Sequence, residues 1–433
     1  MTQPNPSPRQ PQDAPAGARF ARDITDVDLS LAASFAQAVP HEAFDALRQA
    51  GGVAWHDELP VDDAMQTDFV RFVDSPGFWT VTSHELVNEV LRNSDRFSSE
   101  LGTTMMLSLD EESLPTLRAM LINMDAPHHT RIRRILQPSF TPRSVEKLHE
   151  SVRVNAREIM VELDGQRECE LVTAVSAELP LRVLADLLGM PRSDRHLIFE
   201  WSNALIEAEG IQQSGESASG VEAMAAMVEY GQAMAAQRRE HPTDDMVSTI
   251  ANAQVDGDQL DDWEFAMFWV LLVVAGNETT RNAISGSVAA LQEHRRWSQM
   301  AAQGEVPMVA LEELLRYVSP VAHFRRTATA DTTLGDQHIR AGDKVVVWFG
   351  AANRDPNVFS NRHGLELDRA ENPHMAFGIG PHYCLGAHLA RLEVKTMLDE
   401  LVQHFPNLSL ASEPVRVGSN FISGISSMPV NLA

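Results

Sequence analysis

Cysteine is scarce in this sequence. The 433 residues include only Cys169 and Cys384. So few cysteines exclude a disulfide-stapled secreted scaffold and a cysteine-rich zinc site, and they are typical of a reducing compartment. Basic residues are also in deficit, with 35 Lys and Arg against 60 Asp and Glu, which gives a net charge of −25. This balance argues against binding to nucleic acid or to an anionic membrane surface.

Long hydrophobic runs are absent as well. The longest, residues 265–276, covers about twelve residues, whereas a transmembrane helix needs ~20. Residues 1–20 are rich in proline and have no apolar core, so we predict a disordered tail that is neither a signal peptide nor an anchor. Because 44% of the chain is hydrophobic, residues 21–433 can bury a large core. We expect one cytoplasmic domain without a membrane anchor.

Helical periodicity dominates the remainder, with a few short strands. Helices are predicted over 40–52, over 84–92 with Ser83 as the cap, and through most of 144–250. Strands are predicted over 78–81, 324–328 and 344–348, so the fold class is mainly α with small β-sheets. The polar segment 210–220 separates two amphipathic helices and is either a lid over a pocket or an ordinary connection. Residues 97–123 are either a surface loop or a flexible pocket wall.

A glycine-rich loop surrounds Cys384. Gly378, Gly380 and Gly386 permit a tight loop, and a helix is predicted directly after Gly386. The helix dipole at this N-terminus favours a thiolate at Cys384. A single thiolate on such a loop suits an axial ligand of haem iron, although a buried structural cysteine is the alternative.

A buried helix with polar residues in its middle is predicted upstream. Asp261 and Glu264 form a capping pair, and the next eleven or so residues are apolar, which is typical of a helix buried all round. Residues 275–280 then read Ala-Gly-Asn-Glu-Thr-Thr. Burying Glu278 requires partners, and Thr279 can bond back to a carbonyl one turn earlier. We expect Glu278 and Thr279 to face one groove; the alternative is a satisfied polar pair between packed helices.

Two further helical patterns have a structural and a functional interpretation. His129 and Arg133 lie four residues apart and share one helix face, which is either a solvated basic face or a clamp for an anionic group. Glu313 and Arg316 lie three apart, as in an ordinary helical ion pair.

Together these motifs resemble the cytochrome P450 family. Phe377, Gly380, Cys384 and Gly386 match its Phe-x-x-Gly-x-x-x-Cys-x-Gly signature, and residues 275–279 match its Ala-Gly-x-Glu-Thr motif. The Glu-x-x-Arg pattern at Glu313 lies between the two in the family's order. The resemblance extends over roughly residues 75–430 and favours the soluble bacterial type.

The resemblance implies a bound haem b with Cys384 as the proximal iron ligand. It implies haem contacts from a set of residues spread along the chain: His129, Arg133, Ala275, Arg326, Phe377, Gly378, His382, Cys384 and Gly386. Thr279 and Glu278 would bind oxygen and relay protons to it. Glu313 and Arg316 would form a structural network with a later arginine, for which Arg369 is the candidate, although the sequence around it departs from the commoner Phe-Asp-x-x-Arg pattern.

The implied function is insertion of one atom of O2 into an unactivated C–H bond of a terpenoid, a steroid or a branched or alkyl lipid. The expected substrate pocket is apolar: Met105, Leu107, Leu205, Val274, Val321, Phe324, Phe421 and Ile422. Electrons would come from a ferredoxin with its reductase, docking on a locally positive face: Arg131, Arg134, Arg143, Arg391 and Lys395. The alternatives are a non-catalytic haem-binding sensor or recruitment module and a peroxide-driven or rearranging haem-thiolate enzyme.

Overall fold

The computed structural model describes residues 14–61, 71–208, 220–255 and 257–432. Over these residues the chain is mainly helical, as predicted. The α-helices are α1 (His41–Gln49), α2 (His84–Arg92), α3 (Leu114–Arg118), α4 (His128–Leu136), α5 (Pro142–Glu146), α6 (His149–Glu162), α7 (Glu178–Leu187), α8 (Arg195–Ala208), α9 (Gly220–Glu240), α10 (Met246–Ala251), α11 (Asp262–Glu293), α12 (Trp297–Gln303), α13 (Met308–Val318), α14 (Phe349–Ala352) and α15 (Ala387–His404).

Helix α11 is the element around which the helical core packs. It begins at the predicted capping box, in which the Asp261 carboxylate accepts from the Glu264 amide and the Glu264 carboxylate accepts from the Asp261 amide. Its apolar residues are buried on nearly all sides, because α7, α8, α9, α13 and α15 all pack against it. The apolar run without amphipathic periodicity therefore indicated its central position correctly.

The strands are short and form small sheets. They are β1 (Val53–Asp57), β2 (Phe72–Val73), β3 (Gly77–Val81), β4 (Phe97–Ser98), β5 (Ser108–Leu109), β6 (Glu168–Glu170), β7 (His323–Ala328), β8 (Thr332–Leu334), β9 (Gln337–Ile339), β10 (Lys344–Trp348), β11 (Ser409–Leu410), β12 (Val415–Arg416), β13 (Ile425–Ser427) and β14 (Pro429–Asn431).

One five-stranded sheet, ordered β1-β3-β10-β7-β4, forms a layer beside the helical body. Strand β10 lies parallel to β3 and antiparallel to β7, and pairs Val345 with Trp79 and with Arg326. The other sheets are β11-β14-β6 and three two-stranded ribbons. The pairing of β10 with β7 matters for the site, because β7 carries Arg326.

Most local predictions are confirmed. The Ser83 hydroxyl accepts from the Leu86 amide at 3.4 Å and caps α2, and the predicted strands appear as β3, β7 and β10.

Of the expected tail, only residues 14–20 lie in the described part, where the Arg19 amide donates to the Gln337 side chain. The expected lid segment 210–220 falls almost entirely outside the described residues. No helix of the described part is both long and apolar enough to cross a membrane.

Candidate active site

The loop that carries Cys384 is built by backbone hydrogen bonds and left-handed glycines. The Cys384 amide donates to the Phe377 carbonyl at 2.9 Å. Gly378 and Gly380 have φ of +67° and +75°, the region that favours glycine. A Cβ on Gly380 would lie 2.5 Å from the Leu91 carbonyl oxygen of α2, so the loop passes directly against that helix. The predicted tight turn is therefore present, and α15 begins three residues after the cysteine.

The Cys384 thiol lies in a mixed environment. The residue is exposed, yet the protein packed around its thiol raises its pKa, while the Gly386 amide and the charges of Arg133 and Arg391 oppose that rise. Sequence reasoning considered only the helix terminus, whose effect burial outweighs. A Cβ on Gly386 would meet no other atom within 4 Å, so open space adjoins the cysteine. Cys169 is half-buried, and burial raises its pKa to about 11.

Four nitrogen-bearing side chains, which we call the donor cluster, converge beside this loop: His129, Arg133, Arg326 and His382. The His129 and His382 rings lie 4.2 Å apart between centroids. Burial, followed by neighbouring arginine charges, lowers the pKa of His129 to about 4 and that of His382 to about 2, so both rings are neutral at pH 7. The His382 Nε2 lies 3.2 Å from the Ser99 hydroxyl, whereas the buried His129 Nε2 has no partner.

The two arginines of the donor cluster are bound only to backbone carbonyls. Arg133 Nη2 donates to the Tyr383 carbonyl at 2.6 Å, and Arg326 Nη1 donates to the Arg325 carbonyl at 2.8 Å. Among the described residues no carboxylate forms an ion pair with either arginine. The nearby Asp125 carboxylate accepts instead from the hydroxyl of Ser98 and from the Ser99 amide. Arg326 is buried and Arg133 is half-buried. Burying a cation without a counter-ion is costly, so the cluster is suited to an anionic group.

The polar residues of α11 point in different directions. The Thr279 hydroxyl donates to the Ala275 carbonyl at 2.7 Å, one turn earlier, as predicted. Ala275 is exposed, although most residues of α11 as a whole are buried. The Glu278 carboxylate is buried and accepts from Arg281 Nη2 at 2.7 Å and Asn282 Nδ2 at 2.8 Å.

This arrangement differs from the expected shared groove for acid and alcohol. Successive residues of an α-helix point about 100° apart, and Glu278 is held by partners on its own helix face. Sequence reasoning missed Arg281 and Asn282, although their spacing of three and four residues from Glu278 is the signal that identifies them. One carboxylate oxygen of Glu278, Oε2, has no partner among the described residues.

Four of the expected substrate-pocket residues lie together. Val321 and Ile422 form an isolated antiparallel bridge, and the rings of Phe324 and Phe421 lie 6.2 Å apart. Phe324 also packs edge-on against Phe349 at 5.5 Å.

The other expected pocket residues lie on separate elements. Met105 and Leu107 are half-buried in a loop attached to β7, where the Arg325 amide donates to the Thr104 carbonyl at 2.9 Å. Val274 is half-buried on α11. The side chain of Leu205, on α8, lies outside what the structure describes.

A second charged group, the glutamate network, consists of Glu313, Arg316 and Arg369. Arg316 donates to both carboxylate oxygens of Glu313 at 2.7 Å, and Arg369 donates to them at 2.9 and 3.3 Å. Glu313 and Arg316 are fully buried. Arg316 also donates to the backbone carbonyls of Asn353 and Gly364. The sequence around Arg369 departs from the commoner family pattern, but Arg369 still contacts Glu313.

The expected positive docking face is largely neutralised. Arg131 pairs with Asp258 and with Glu264, at 2.5 Å each, and Arg391 pairs with Glu312. Lys395 pairs with a carboxylate one turn later on α15. The expectation of a locally positive face did not include these acidic partners, and those of Arg131 and Arg391 come from segments distant in sequence.

Comparisons with known proteins agree with the site. A family profile described as Cytochrome P450 matches residues 216–417. A steroid C26-monooxygenase of Rhodococcus jostii is 36% identical, over 94% of this chain and 84% of that protein. A methyl-branched lipid omega-hydroxylase of Mycobacterium bovis is 36% identical, over 89% and 91%. A Mycobacterium marinum cytochrome P450 solved with pseudoionone superposes with a TM-score of 0.83 at 36% identity, covering 94% of this chain and 98% of that one.

A helical fold with a lone cysteine on a glycine loop, next to a cluster of anion donors, is that of a haem-thiolate enzyme. The chain belongs to the cytochrome P450 family, and it is a P450 monooxygenase that uses haem b. The residues present fit that cofactor. The unpartnered His129 Nε2 and the two arginines without an ion-pair partner among the described residues suit its propionates, and the open space at Gly386 and the exposed Ala275 suit its ring.

Proposed function

We propose that this monooxygenase hydroxylates an unactivated C–H bond of a steroid, a methyl-branched lipid or a terpenoid, with electrons from a ferredoxin and its reductase. The reaction consumes O2, two electrons and two protons and releases the alcohol and water. The observation that carries the proposal is the donor cluster beside Cys384, which has buried nitrogens and no counter-ion among the described residues. A cluster of that kind requires an anionic ligand, and haem supplies two carboxylates.

Each residue of the site has a role in this proposal. Cys384 ligates the iron, and Phe377, Gly378 and Gly386 form the loop that lets the cofactor approach its thiolate. The donor cluster binds the propionates through charge-assisted hydrogen bonds. Haem, when bound, supplies the oxygen-reducing and C–H-oxidising chemistry.

Proton delivery is assigned to α11. The Thr279 hydroxyl is anchored on the Ala275 carbonyl and can exchange that acceptor for a proton acceptor in the site. The Glu278 carboxylate is held by Arg281 and Asn282, and its Oε2, which has no partner among the described residues, is the atom that we assign to the proton relay. Because neighbouring residues of α11 point about 100° apart, the proposed relay runs through water rather than through a direct contact between acid and alcohol.

Two observations support the proposed substrate class: the apolar pocket residues and the activities for which two relatives are named. The predicted pocket residues are apolar, and Val321, Phe324, Phe421 and Ile422 form one aromatic and aliphatic surface. Apolar walls with few polar groups select lipophilic molecules. Two relatives with more than a third of their residues identical are named for steroid and methyl-branched lipid hydroxylation.

The test is turnover of purified holoenzyme with sterols, methyl-branched fatty acids and pseudoionone as candidate substrates. With O2, a ferredoxin, its reductase and a reduced nicotinamide, a hydroxylated product should form, and mass spectrometry should show one atom of 18O from labelled O2. Hydrogen peroxide without the ferredoxin should give little product. Product formation only with peroxide, or an isomerised product without added oxygen, would contradict the proposal.

A further inference from the structure

A second cavity lies behind the predicted substrate pocket, and we call it the back cavity. It has a volume of about 200 Å³ and is bounded by α1, the C-terminal half of α11, the end of α13 and the loop before β13. Its wall on α11 runs from Gly286 to Glu293, about two turns or more beyond Thr279. None of the residues assigned to the haem lines it. The volume is below the roughly 300–1,000 Å³ of sites for drug-sized ligands, so its occupant is small.

Part of the wall of the back cavity is apolar. Val39 and Phe44 come from α1 and the residues before it, Ala289 from α11, Val318 from the end of α13 and Trp348 from the end of β10. Such a surface favours the body of a small hydrocarbon or aromatic group.

Another part of the wall is cationic. Arg354 is 5% exposed, and its Nη2 donates to the Tyr317 carbonyl at 2.8 Å while its guanidinium lies 4.7 Å from the Tyr317 ring. In the described part of the chain no carboxylate lies within ion-pair distance of Arg354 or of Arg416, which also lines the cavity. Glu293 is the acidic group of the wall, and it is exposed and accepts from the Tyr317 hydroxyl at 3.4 Å.

His41 lines the cavity close to its cationic groups. Its Nδ1 is buried and has no hydrogen-bond partner within the described ranges of the chain. Burial lowers its pKa well below the usual value, and the charges of Arg354, His363 and Arg416 lower it further, against the opposing charge of Asp45. Asp45 is itself occupied by Arg48, Arg362 and His363. A buried guanidinium (Arg354), an exposed arginine at the rim (Arg416) and a neutral imidazole (His41) therefore line one partly apolar cavity.

We propose that the back cavity is a second ligand site, which binds a small monocarboxylate with an apolar body. The carboxylate pairs with Arg354 and Arg416, and the body contacts the apolar wall around Phe44 and Val318. An oxyanion is the group that supplies the missing counter-charge, because arginine binds carboxylates through two parallel hydrogen bonds.

The site is adjacent to the predicted substrate pocket. Its residue Ala322 donates through its amide to the Phe421 carbonyl at 2.8 Å, and Ser423, another wall residue, donates likewise to the Pro320 carbonyl. These hydrogen bonds flank the Val321–Ile422 bridge, whose side chains are predicted to contact substrate. The two ligands would therefore lie on opposite sides of one short backbone bridge.

The test is isothermal titration calorimetry of the holoenzyme with benzoate and with benzamide, which has the same shape without the charge. Benzoate should bind saturably, and benzamide at least tenfold more weakly. Ala289→Leu, which fills the cavity, should abolish benzoate binding, and Arg416→Gln should weaken it about tenfold, the loss of one charged hydrogen bond. Arg354 is unsuitable for substitution because it also holds the Tyr317 carbonyl.

Two variants serve as matched controls. Ala225→Leu makes the same substitution at an exposed position of α9, and Arg153→Gln removes an exposed charge of α6; both should bind benzoate like the wild type. Equal affinity for benzoate and benzamide, no saturable benzoate binding, or unchanged affinity in Ala289→Leu would overturn the proposal. The carbon monoxide spectrum is recorded on the same samples, so a failure of the haem assignment would be seen separately from a failure of binding.

Discussion

The glutamate network and the donor cluster both bury positive charge, but they differ in how many of their hydrogen bonds are made. In the network, Glu313 accepts from Arg316 and Arg369 and also from the Glu366 amide. In the donor cluster, Arg133 and Arg326 each meet only a carbonyl, and one imidazole nitrogen has no partner.

This difference indicates a structural role for the glutamate network and a binding role for the donor cluster. A buried ionic group that is fully hydrogen-bonded holds chain segments together and has no capacity for another partner. A buried cationic group with unmet hydrogen bonds is destabilising until an anion arrives. The network therefore joins α13 to the segment before the cysteine loop, whereas we propose that the donor cluster binds the haem.

The largest effect is expected from Glu313→Ala. It leaves Arg316 and Arg369 buried without their carboxylate, so the free energy of unfolding should fall by about 3–5 kcal/mol. Urea denaturation followed by circular dichroism measures the loss. Glu305→Ala, at an exposed carboxylate 3.7 Å from Lys395, should change stability little and serves as the control. A Glu313→Ala protein as stable as the wild type would show that the network is dispensable.

Arg326→Leu should affect cofactor retention rather than folding. Removing one charged hydrogen bond to a propionate should speed transfer of haem to apomyoglobin about tenfold or more. In the absence of haem, the Arg326→Leu variant should be no less stable than the wild type, because the substitution removes a buried cation that has no counter-ion. Unfolding comparable to that of Glu313→Ala would mean that the two charged groups do not differ in kind.

Glu393 tests whether a missing partner always marks a binding site. It is buried on α15 and its Oε2 has no hydrogen bond, but burial raises its pKa from 4.5 to about 8. The folded protein therefore holds this proton more strongly than the unfolded chain, so the stabilisation is complete below pH 4.5 and is lost as pH rises through 8.

The corresponding variant is Glu393→Gln. When the pH is raised from 5.5 to 7.5, the free energy of unfolding of the wild type should fall by about 2 kcal/mol more than that of the variant. Urea denaturation at the two pH values measures this difference. Parallel stability curves for the two proteins would indicate that Glu393 is ionised and has a partner when the protein is in solution.

Thr279 is the opposite case, because its hydroxyl already has an acceptor in Ala275. If its role is proton delivery, Thr279→Ala should lower product per electron consumed about a hundredfold, the lower end of what an acid–base group contributes, and Thr279→Ser should restore most of it. The ratio of product to reduced nicotinamide consumed measures this. An unchanged ratio in Thr279→Ala would assign the hydroxyl to helix structure alone.

The sequence predicts the elements that depend on neighbouring residues. The Ser83 cap, the Asp261–Glu264 capping box and the helix after Cys384 were all predicted because each signal lies within a few residues. The resemblance to a family ordered the distant motifs along the chain, and the structure brings His129, Arg133, Arg326 and His382 to one place.

Properties that depend on several distant segments were beyond sequence reasoning. Burial outweighs the helix terminus in setting the pKa of Cys384. The partners of Arg131 come from the loop before α11 and from the first turn of α11, which no local pattern connects to α4. The back cavity is assembled from several such segments, and its cations belong to a turn and a strand that show no binding motif.

The most direct test of the central assignment compares the two cysteines. The reduced wild-type protein with carbon monoxide should absorb near ~450 nm, the signature of a thiolate ligand. Cys169→Ser should retain that band, and Cys384→Ser should lose it together with hydroxylation activity. A band near ~450 nm that survives in Cys384→Ser would contradict the assignment of Cys384 as the iron ligand.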